Sequence, residues 1–315
     1  MERAETQMAL GHQRVHVERL GEVDRGLQLM PRRARRVTQK KALSRLSSPQ
    51  RGPCTVLPYN AVGRMTTIVR DWRDVRADES LACESVLVWS VSLDTAAVES
   101  VLSADETERA RRYRFDTDRR RFAVCRAALR AILAAYLHVA ANEIVLATTA
   151  NGKPYLDSCH RSDLRFSVSH SHELALIALA RRHEVGVDVE HIRAMPGMDD
   201  VIQRYFSPGE ARALEPLPDH DRRRAFFQTW TLKEAYLKGC GDGLTRRLDA
   251  IDVKIPADDQ PAPFQVRDRP GDEARWILRS ISAGESYAAA LAVEHRSPDQ
   301  GSGSSIGSGC GGRTF

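Results

Sequence analysis

The sequence lacks several features that would define other classes of protein. It has no run of about 18 apolar residues, so it lacks the segment that a membrane-spanning helix requires. Its early charges are not followed by the apolar core of a secretory signal peptide. The six cysteines are scattered without a Cys-x-x-Cys pair, which disfavours zinc sites and disulfide frameworks. A Walker phosphate loop is also missing. We therefore expect a cytoplasmic protein with reduced thiols.

The basic charge of the chain is concentrated at its N-terminus. The formal net charge is +5. Residues 1–64 contain 13 Lys and Arg against 5 Asp and Glu, a net of +8, so the remainder carries +5 less +8, or −3. We interpret residues 1–64 as a disordered extension and the Gly/Ser-rich residues 297–315 as a flexible tail. A nucleic-acid-binding basic arm is the alternative, but no aromatic residues are interleaved with its Arg-rich run.

The segment between these ends contains a repeated pattern. Ser103 with Glu106, and Ser207 with Glu210, form capping boxes that each predict the start of a helix. About 14 residues after each box, Asp-Arg-Arg-Arg begins a long apolar helix, and strand-like runs flank both units. We interpret the pattern as a duplication, whereas a chance agreement of two capping boxes is the alternative.

The duplication predicts an α+β protein in which two similar α/β halves pack as a pseudo-dimer. The predicted halves are residues 82–183 and 184–295. Ligand sites are often found at such interfaces between domains. We therefore expect the functional site between the halves. The candidate metal ligands described below lie in the second half.

The helix predicted within Phe226–Leu244 has an acidic residue on its apolar face. Phe226, Phe227, Trp230 and Leu237 lie in one stripe, and Glu234 falls inside it. A buried carboxylate is costly unless it is paired or bound to a metal. The alternative is a helix rotated so that Glu234 reaches water.

Two further carboxylates lie on a predicted strand. Asp188 and Glu190 are two residues apart and share a face, because side chains alternate along a strand. With Glu234 as a third ligand, carboxylate oxygens without His or Cys indicate Mg²⁺, with Mn²⁺ as an alternative. A solvated sheet face is the other interpretation of the Asp-x-Glu pair. Mg²⁺ commonly binds substrate phosphates, so we expect a phosphate-bearing substrate.

Cationic residues are available for such a substrate. Lys233 and Lys238 flank Glu234, and Lys153 lies in a Gly-Lys-Pro turn. His170 has a serine on either side and is a further candidate phosphate ligand. Arg126 is our candidate among the arginines of the first long helix, most of which we assign to its solvated face.

These residues resemble the 4′-phosphopantetheinyl transferases of the larger, surfactin-synthetase-activating type. The resemblance covers about residues 85–295 and depends on Gly186–Glu190 (GVDVE) and Trp230–Lys238 (WTLKEAYLK), about 40 residues apart. Gly152–Pro154 and Phe166–Ser171 (FSVSHS) support it. The family's fold is a pseudo-dimer with the site between its halves. Ser167 stands where the family more often has Asn, and Val189 where some relatives have a polar residue.

The resemblance implies transfer of 4′-phosphopantetheine from coenzyme A to a serine of an apo acyl or peptidyl carrier protein or synthase carrier domain. Asp188, Glu190 and Glu234 would hold Mg²⁺, and Glu234 or a metal-bound water would be the base. Lys238 would stabilise charge on the pyrophosphate, with help from Lys233. The adenosine end and its 3′-phosphate would meet the residues of the turn and of the Ser-His pair, namely Lys153, Ser169 and His170.

A non-catalytic carrier-binding or coenzyme A-binding module of the same fold is the alternative function. In either case we expect a monomer with no nucleic-acid or membrane partner. Because carrier proteins are expected to be acidic around their serine, Arg109–Arg114 or Arg222–Arg224 could form the docking surface. The sequence leaves open whether the carrier serves fatty-acid, polyketide or nonribosomal-peptide synthesis.

Overall fold

The computed structural model describes residues 56–57, 66–76, 80–83, 85–96, 99–243, 246–256 and 260–295. The predicted extension and tail therefore lie outside the described residues, with one exception. Val56 and Leu57, within the range of the predicted extension, form a short strand. None of the helices in the described ranges is long and apolar enough to cross a membrane.

The first half begins earlier than the predicted boundary at residue 82. Its strand at residues 66–71 runs parallel to the next strand and so joins the same sheet. Its elements, in chain order, are β1 (Val56–Leu57), β2 (Thr66–Asp71), β3 (Ser85–Ser92), α1 (Ala104–Arg111), α2 (Asp116–Leu137), β4 (Leu146–Thr148), β5 (Pro154–Leu156), β6 (Leu164–Ser171) and β7 (Leu174–Arg181).

The second half repeats this plan with one additional helix before the capping box. Its elements are β8 (Val185–His191), α3 (Met198–Tyr205), α4 (Pro208–Leu214), α5 (Asp219–Cys240), β9 (Ile251–Val253), β10 (Phe264–Val266), α6 (Asp272–Arg275), β11 (Trp276–Ser280) and β12 (Tyr287–Glu294).

Both halves share one sheet topology. The first sheet has the order β1-β2-β3-β7-β6, and the second has the order β11-β12-β8. In each half the last strand lies between the first core strand and the penultimate one, with antiparallel pairing on both sides. Each half also contains a separate two-stranded hairpin, β4–β5 or β9–β10. This architecture confirms the predicted α+β pseudo-dimer.

The two predicted capping boxes are confirmed and begin α1 and α4. Ser103 Oγ accepts from the Glu106 N–H at 3.2 Å, and Glu106 Oε2 accepts from the Ser103 N–H at 3.0 Å. The equivalent distances between Ser207 and Glu210 are 3.1 and 2.7 Å. In each half the long helix that follows has 22 residues.

Three apolar clusters organise the molecule. The first lies between α2 and its sheet, and the second lies between α5 and the second sheet. In the second cluster, the predicted stripe of α5 is buried, including Phe226, Trp230 and Leu237. The third cluster joins the two sheets, with valines and alanines contributed by β3, β7, β8 and β12. The sheets therefore pack against each other in the middle of the pseudo-dimer.

Helix α5 lies unusually close to β8 at a pair of glycines. A Cβ added to Gly186 would lie 1.9 Å from the Ala235 carbonyl oxygen and 2.3 Å from the Gly239 backbone nitrogen. Only a residue without a side chain allows this approach. The helix ends directly afterwards at Gly241, whose φ of 73° is the left-handed conformation typical of a helix C-terminus. This contact holds the end of α5 against the beginning of β8.

Candidate active site

Strand β8 directs two carboxylates away from the core between the sheets. Val187 and Val189 are fully buried in that core. Because side chains alternate along a strand, Asp188 and Glu190 point to the opposite face, where α5 lies. Asp188 is only 3% exposed.

Lys238 of α5 binds the first of these carboxylates directly. Its Nζ donates to Asp188 Oδ1 at 2.6 Å and to Ser169 Oγ at 2.8 Å. Ser169 Oγ in turn donates to Asp188 Oδ1 at 2.8 Å. The pKa of Lys238 is raised, because the charges of Asp188 and Glu234 outweigh the desolvation that alone would lower it. The ammonium group is therefore held in its charged form inside an acidic cluster.

Glu234 and Glu190 complete the cluster, and the pKa of each is raised. Burial raises the pKa of Glu234 to about 7, with a further contribution from the negative charge of Asp188. The same two causes raise the pKa of Glu190 to about 7. Three carboxylates thus repel one another in a place where protein atoms have displaced much of the water. Such a cluster has excess affinity for positive charge.

The residues present fit a divalent cation. Asp188 Oδ2 and Glu234 Oε1 are buried, and neither accepts a hydrogen bond. Buried polar atoms without partners are rare and call for a ligand or an ion. Among the residues that the structure describes, no three His, Cys, Asp or Glu side chains are already arranged around one point. The donor set is nevertheless all oxygen and anionic, which is the set that Mg²⁺ and Mn²⁺ prefer.

His170 lies at the edge of this cluster with an exposed ring. Surrounding protein atoms displace part of its hydration, and this desolvation together with the charge of Lys238 lowers the pKa of His170. Arg109 and Arg121 contribute in the same direction, so both carry their charge near His170. Sequence reasoning placed Arg109 only in a possible docking surface. Its position on the helix begun by the Ser103 capping box did not reveal this proximity.

Lys233 does not belong to the site, which corrects the prediction that it assists with phosphates. Its side chain is 0% exposed, and its Nζ lies 2.5 Å from Glu210 Oε2. The same group donates to the carbonyl oxygens of Tyr205 and Leu248, at 3.1 and 3.2 Å. A lysine with these buried partners is not available to a substrate phosphate.

Two other predicted coenzyme A ligands are engaged by the protein itself. Arg126 binds Glu106, with Nη2 2.6 Å from Oε1. Lys153 Nζ donates to Glu184 Oε2 at 2.8 Å and to the Gly239 carbonyl oxygen at 2.7 Å. Lys153 thus caps the end of α5 from the other half. Ser169 is likewise bound within the carboxylate cluster, so the contacts of these three side chains are structural ones.

Comparisons with known proteins agree with this site. A family model described as the 4′-phosphopantetheinyl transferase superfamily matches residues 184–292, and one described as 4′-phosphopantetheinyl transferase, N-terminal, matches residues 89–182. The 4′-phosphopantetheinyl transferase HetI of Nostoc sp. is 34% identical over 228 residues, which cover 70% of this chain and 93% of that protein. The 4′-phosphopantetheinyl transferase Sfp of Bacillus subtilis is 23% identical over 196 residues, 62% of this chain and 84% of that protein.

Among solved structures, a holo-[acyl-carrier-protein] synthase of Thermotoga maritima overlaps with 36% of this chain and 64% of its own, at 19% identity and a TM-score of 0.29. That overlap is too small to bear on function. The match to HetI is long enough, and its sequence identity high enough, to assign the chain to a family. The chain belongs to the 4′-phosphopantetheinyl transferase superfamily and is an enzyme of that class, and the resemblance inferred from its motifs is confirmed.

Proposed function

We propose that this protein transfers 4′-phosphopantetheine from coenzyme A to a serine of an apo carrier protein, using the cluster of Asp188, Glu190, Glu234 and Lys238. In this reaction the serine oxygen forms a bond to the phosphorus that carries pantetheine. The bridging bond from that phosphorus to the adenosine side of the pyrophosphate breaks, and adenosine 3′,5′-bisphosphate leaves. The observation that supports this assignment most strongly is the cluster of three carboxylates near one half-buried lysine, Lys238.

The proposal assigns the divalent cation to the three carboxylates. Asp188 and Glu234 each offer a buried oxygen without a partner, and Glu190 stands beside them on β8. Bound Mg²⁺ would supply positive charge that neutralises the pyrophosphate, and Mn²⁺ has the same ligand preference.

The remaining roles belong to side chains of the cluster. Lys238 is positioned to balance negative charge on the leaving bisphosphate, because its ammonium is already held at the carboxylates. Glu234 is the candidate acceptor of the serine proton, because one of its carboxylate oxygens is buried and accepts no hydrogen bond from the protein. His170 remains our candidate ligand for the 3′-phosphate of coenzyme A, and the nearby Arg109 supplies positive charge. Arg121 is instead held by Asp94, with hydrogen bonds of 2.8 and 3.1 Å.

We further propose that the two halves act as one unit, with division near residue 184, and that the protein works as a cytoplasmic monomer. One chain already supplies both sides of the site, because Ser169 and His170 come from the first half and the carboxylates come from the second. The cysteines that the structure describes are free thiols, which is the usual state in the cytoplasm.

The proposal is tested with purified protein, coenzyme A, Mg²⁺ and a panel of apo carrier domains. Mass spectrometry should show a carrier heavier by one phosphopantetheinyl group. We expect Asp188→Ala and Glu234→Ala to abolish this gain, while Glu215→Ala, at the exposed C-cap that follows α4, keeps it. Wild-type rates in Asp188→Ala would refute the assignment of the cluster. The carriers that accept the group would also identify the pathway.

A further inference from the structure

Three serines at alternate positions of β6 join the two halves of the protein. Each hydroxyl accepts a hydrogen bond from a backbone N–H of β8, in register along both strands. The bonds are Val187 N–H to Ser167 Oγ at 3.1 Å, Val189 N–H to Ser169 Oγ at 3.3 Å, and His191 N–H to Ser171 Oγ at 3.0 Å. We call these three bonds the serine ladder. It links the edges of the two sheets through side chains, where a continuous sheet would use backbone carbonyls.

Two members of the serine ladder also hold the proposed metal carboxylates. Ser169 Oγ donates to Asp188 Oδ1 and Ser171 Oγ donates to Glu190 Oε2, both at 2.8 Å. In both cases the acid lies 19 residues after the serine. The residue at the same separation from Ser167 is Gly186, which has no side chain and must remain small beneath α5. Ser167 therefore repeats the ladder bond without the carboxylate contact.

The chemistry of a hydroxyl group makes this contact directional. A serine hydroxyl has one proton and two acceptor lone pairs. Because the His191 N–H already occupies the acceptor side of Ser171, the single proton is left to bind Glu190. A carboxylate fixed at one oxygen loses less rotational freedom when its other oxygen binds a cation. Groups that orient metal ligands in this way strongly affect metal affinity.

We propose that Ser171 is a positioning residue that orients Glu190 for the divalent cation. This inference rests on the proposed function, since it requires the three carboxylates to bind a metal. Ser169 has the equivalent relationship to Asp188, but it also accepts from Lys238, so its removal would disturb two groups at once. Ser171 has a single functional contact and is the clearer test.

The experiment measures Mn²⁺ binding by electron paramagnetic resonance, with coenzyme A present and carrier absent. We expect Ser171→Ala to weaken Mn²⁺ binding about tenfold, the lower end of the loss found for residues that orient metal ligands. Ser171→Thr keeps the hydroxyl and should restore binding. Ser167→Ala is the matched control, because it removes the same kind of ladder bond from a more deeply buried serine and should leave Mn²⁺ affinity unchanged.

In transfer assays, Ser171→Ala should need more Mg²⁺ for half-maximal rate while keeping a kcat close to wild type at saturating Mg²⁺. Equal weakening of Mn²⁺ binding by Ser171→Ala and Ser167→Ala would overturn the proposal, because the ladder alone would then be responsible. Wild-type affinity in Ser171→Ala would also overturn it. If the wild-type protein transfers the group without binding Mn²⁺, both the metal site and the role of Ser171 would be refuted. If the wild-type protein binds Mn²⁺, Ser171→Ala weakens that binding, and no transfer is detected, only the proposed function would be refuted.

Discussion

Glu210 and Lys233 form a buried ion pair, with Nζ 2.5 Å from Oε2 and side chains 3% and 0% exposed. The first half contains the same arrangement, in which Arg130 Nε lies 2.6 Å from Glu106 Oε2. In both halves the acid is the third residue of the short helix and closes its capping box, and the cation comes from the 22-residue helix that follows. The pair fastens the short helix to the long one, and its recurrence marks it as part of the duplicated unit.

The first prediction concerns the stability supplied by Lys233. Burial raises the pKa of Glu210 and lowers that of Lys233, so each group depends on the other to remain charged. Lys233→Met should lower the free energy of unfolding by about 3–5 kcal/mol, because it leaves a buried carboxylate without its partner. Adding Glu210→Gln should recover part of the loss. Urea unfolding measures both changes.

The result also distinguishes a structural lysine from a phosphate ligand. If Lys233 contacts substrate, Lys233→Met would keep wild-type stability and raise the KM for coenzyme A. We expect the opposite pattern: a large loss of stability, and an unchanged KM in whatever fraction of the variant is folded. Measurements at low temperature would preserve that fraction.

The second prediction is a pH dependence of stability that comes from Glu106. Burial alone would raise the pKa of Glu106, but Arg126, the Ser103 N–H and Arg130 outweigh it and hold the pKa below its ordinary 4.5. Ionised Glu106 therefore stabilises the fold above that ordinary value, and this stabilisation is lost as the pH falls through the lowered pKa. Glu106→Gln, which keeps the cap acceptor, should cost about 3 kcal/mol at neutral pH.

The measurement is urea unfolding of wild type and Glu106→Gln over a series of pH values. The difference between them should be largest at neutral pH and should shrink as the pH falls below 4.5. Glu108→Gln provides the control, since Glu108 lies on the same helix but is 54% exposed and makes only long ion pairs. A pH-independent difference for Glu106→Gln would contradict the assignment.

Local patterns predicted much of this fold and part of the site. The capping boxes, the buried stripe of α5 and the shared face of Asp188 and Glu190 each follow from residues within about one helical turn or two strand positions. The contacts of Lys233 and Lys153 could not be predicted, because a helical wheel or a turn does not reveal which distant element packs against it. The serine ladder depends on the meeting of β6 and β8, which only the tertiary structure establishes. In the sequence, Ser167, Ser169 and Ser171 occupy alternate positions, which indicates only that they share one face of a strand.

The third prediction concerns the glycine contact between β8 and α5. Gly186→Ala would bring a methyl group within 1.9 Å of the Ala235 carbonyl oxygen, so α5 must move away. We expect a loss of at least about 1–3 kcal/mol in stability, the usual cost of overpacking, and loss of transfer as Glu234 and Lys238 are displaced. Unfolding and mass-gain assays on the same preparation measure both effects.

The control for this substitution is Gly209→Ala in α4. Its added Cβ would lie 3.2 Å from Asp252 Oδ2 and 3.6 Å from Ser207 Oγ, which are side-chain atoms, and alanine favours a helix over glycine. Stability should therefore change little or rise, and transfer should be retained. A fully active Gly186→Ala variant would show that the spacing between β8 and α5 is not needed to place the carboxylates.

The last prediction separates the two effects of Lys238 on the site. Its ammonium neutralises part of the carboxylate charge by binding Asp188 Oδ1 at 2.6 Å, so it competes with a divalent cation for the same cluster. Two unit charges 4 Å apart near a protein surface interact by about 4 kcal/mol, so the competition is substantial. Lys238→Met should bind Mn²⁺ about tenfold more tightly, a change of about 1.4 kcal/mol. Its kcat should nevertheless fall, because the leaving bisphosphate loses a positive partner.

Mn²⁺ titrations and transfer rates of the same variant test this opposition. Lys254→Met is a matched control, since Lys254 follows β9 in the same half and is exposed. It should change neither quantity. Weaker Mn²⁺ binding in Lys238→Met would mean that the lysine supports the metal ligands more than it competes with the metal. Tighter Mn²⁺ binding with an undiminished kcat would mean that Lys238 serves only to neutralise the charge of the carboxylates. Other groups would then balance the charge of the leaving bisphosphate.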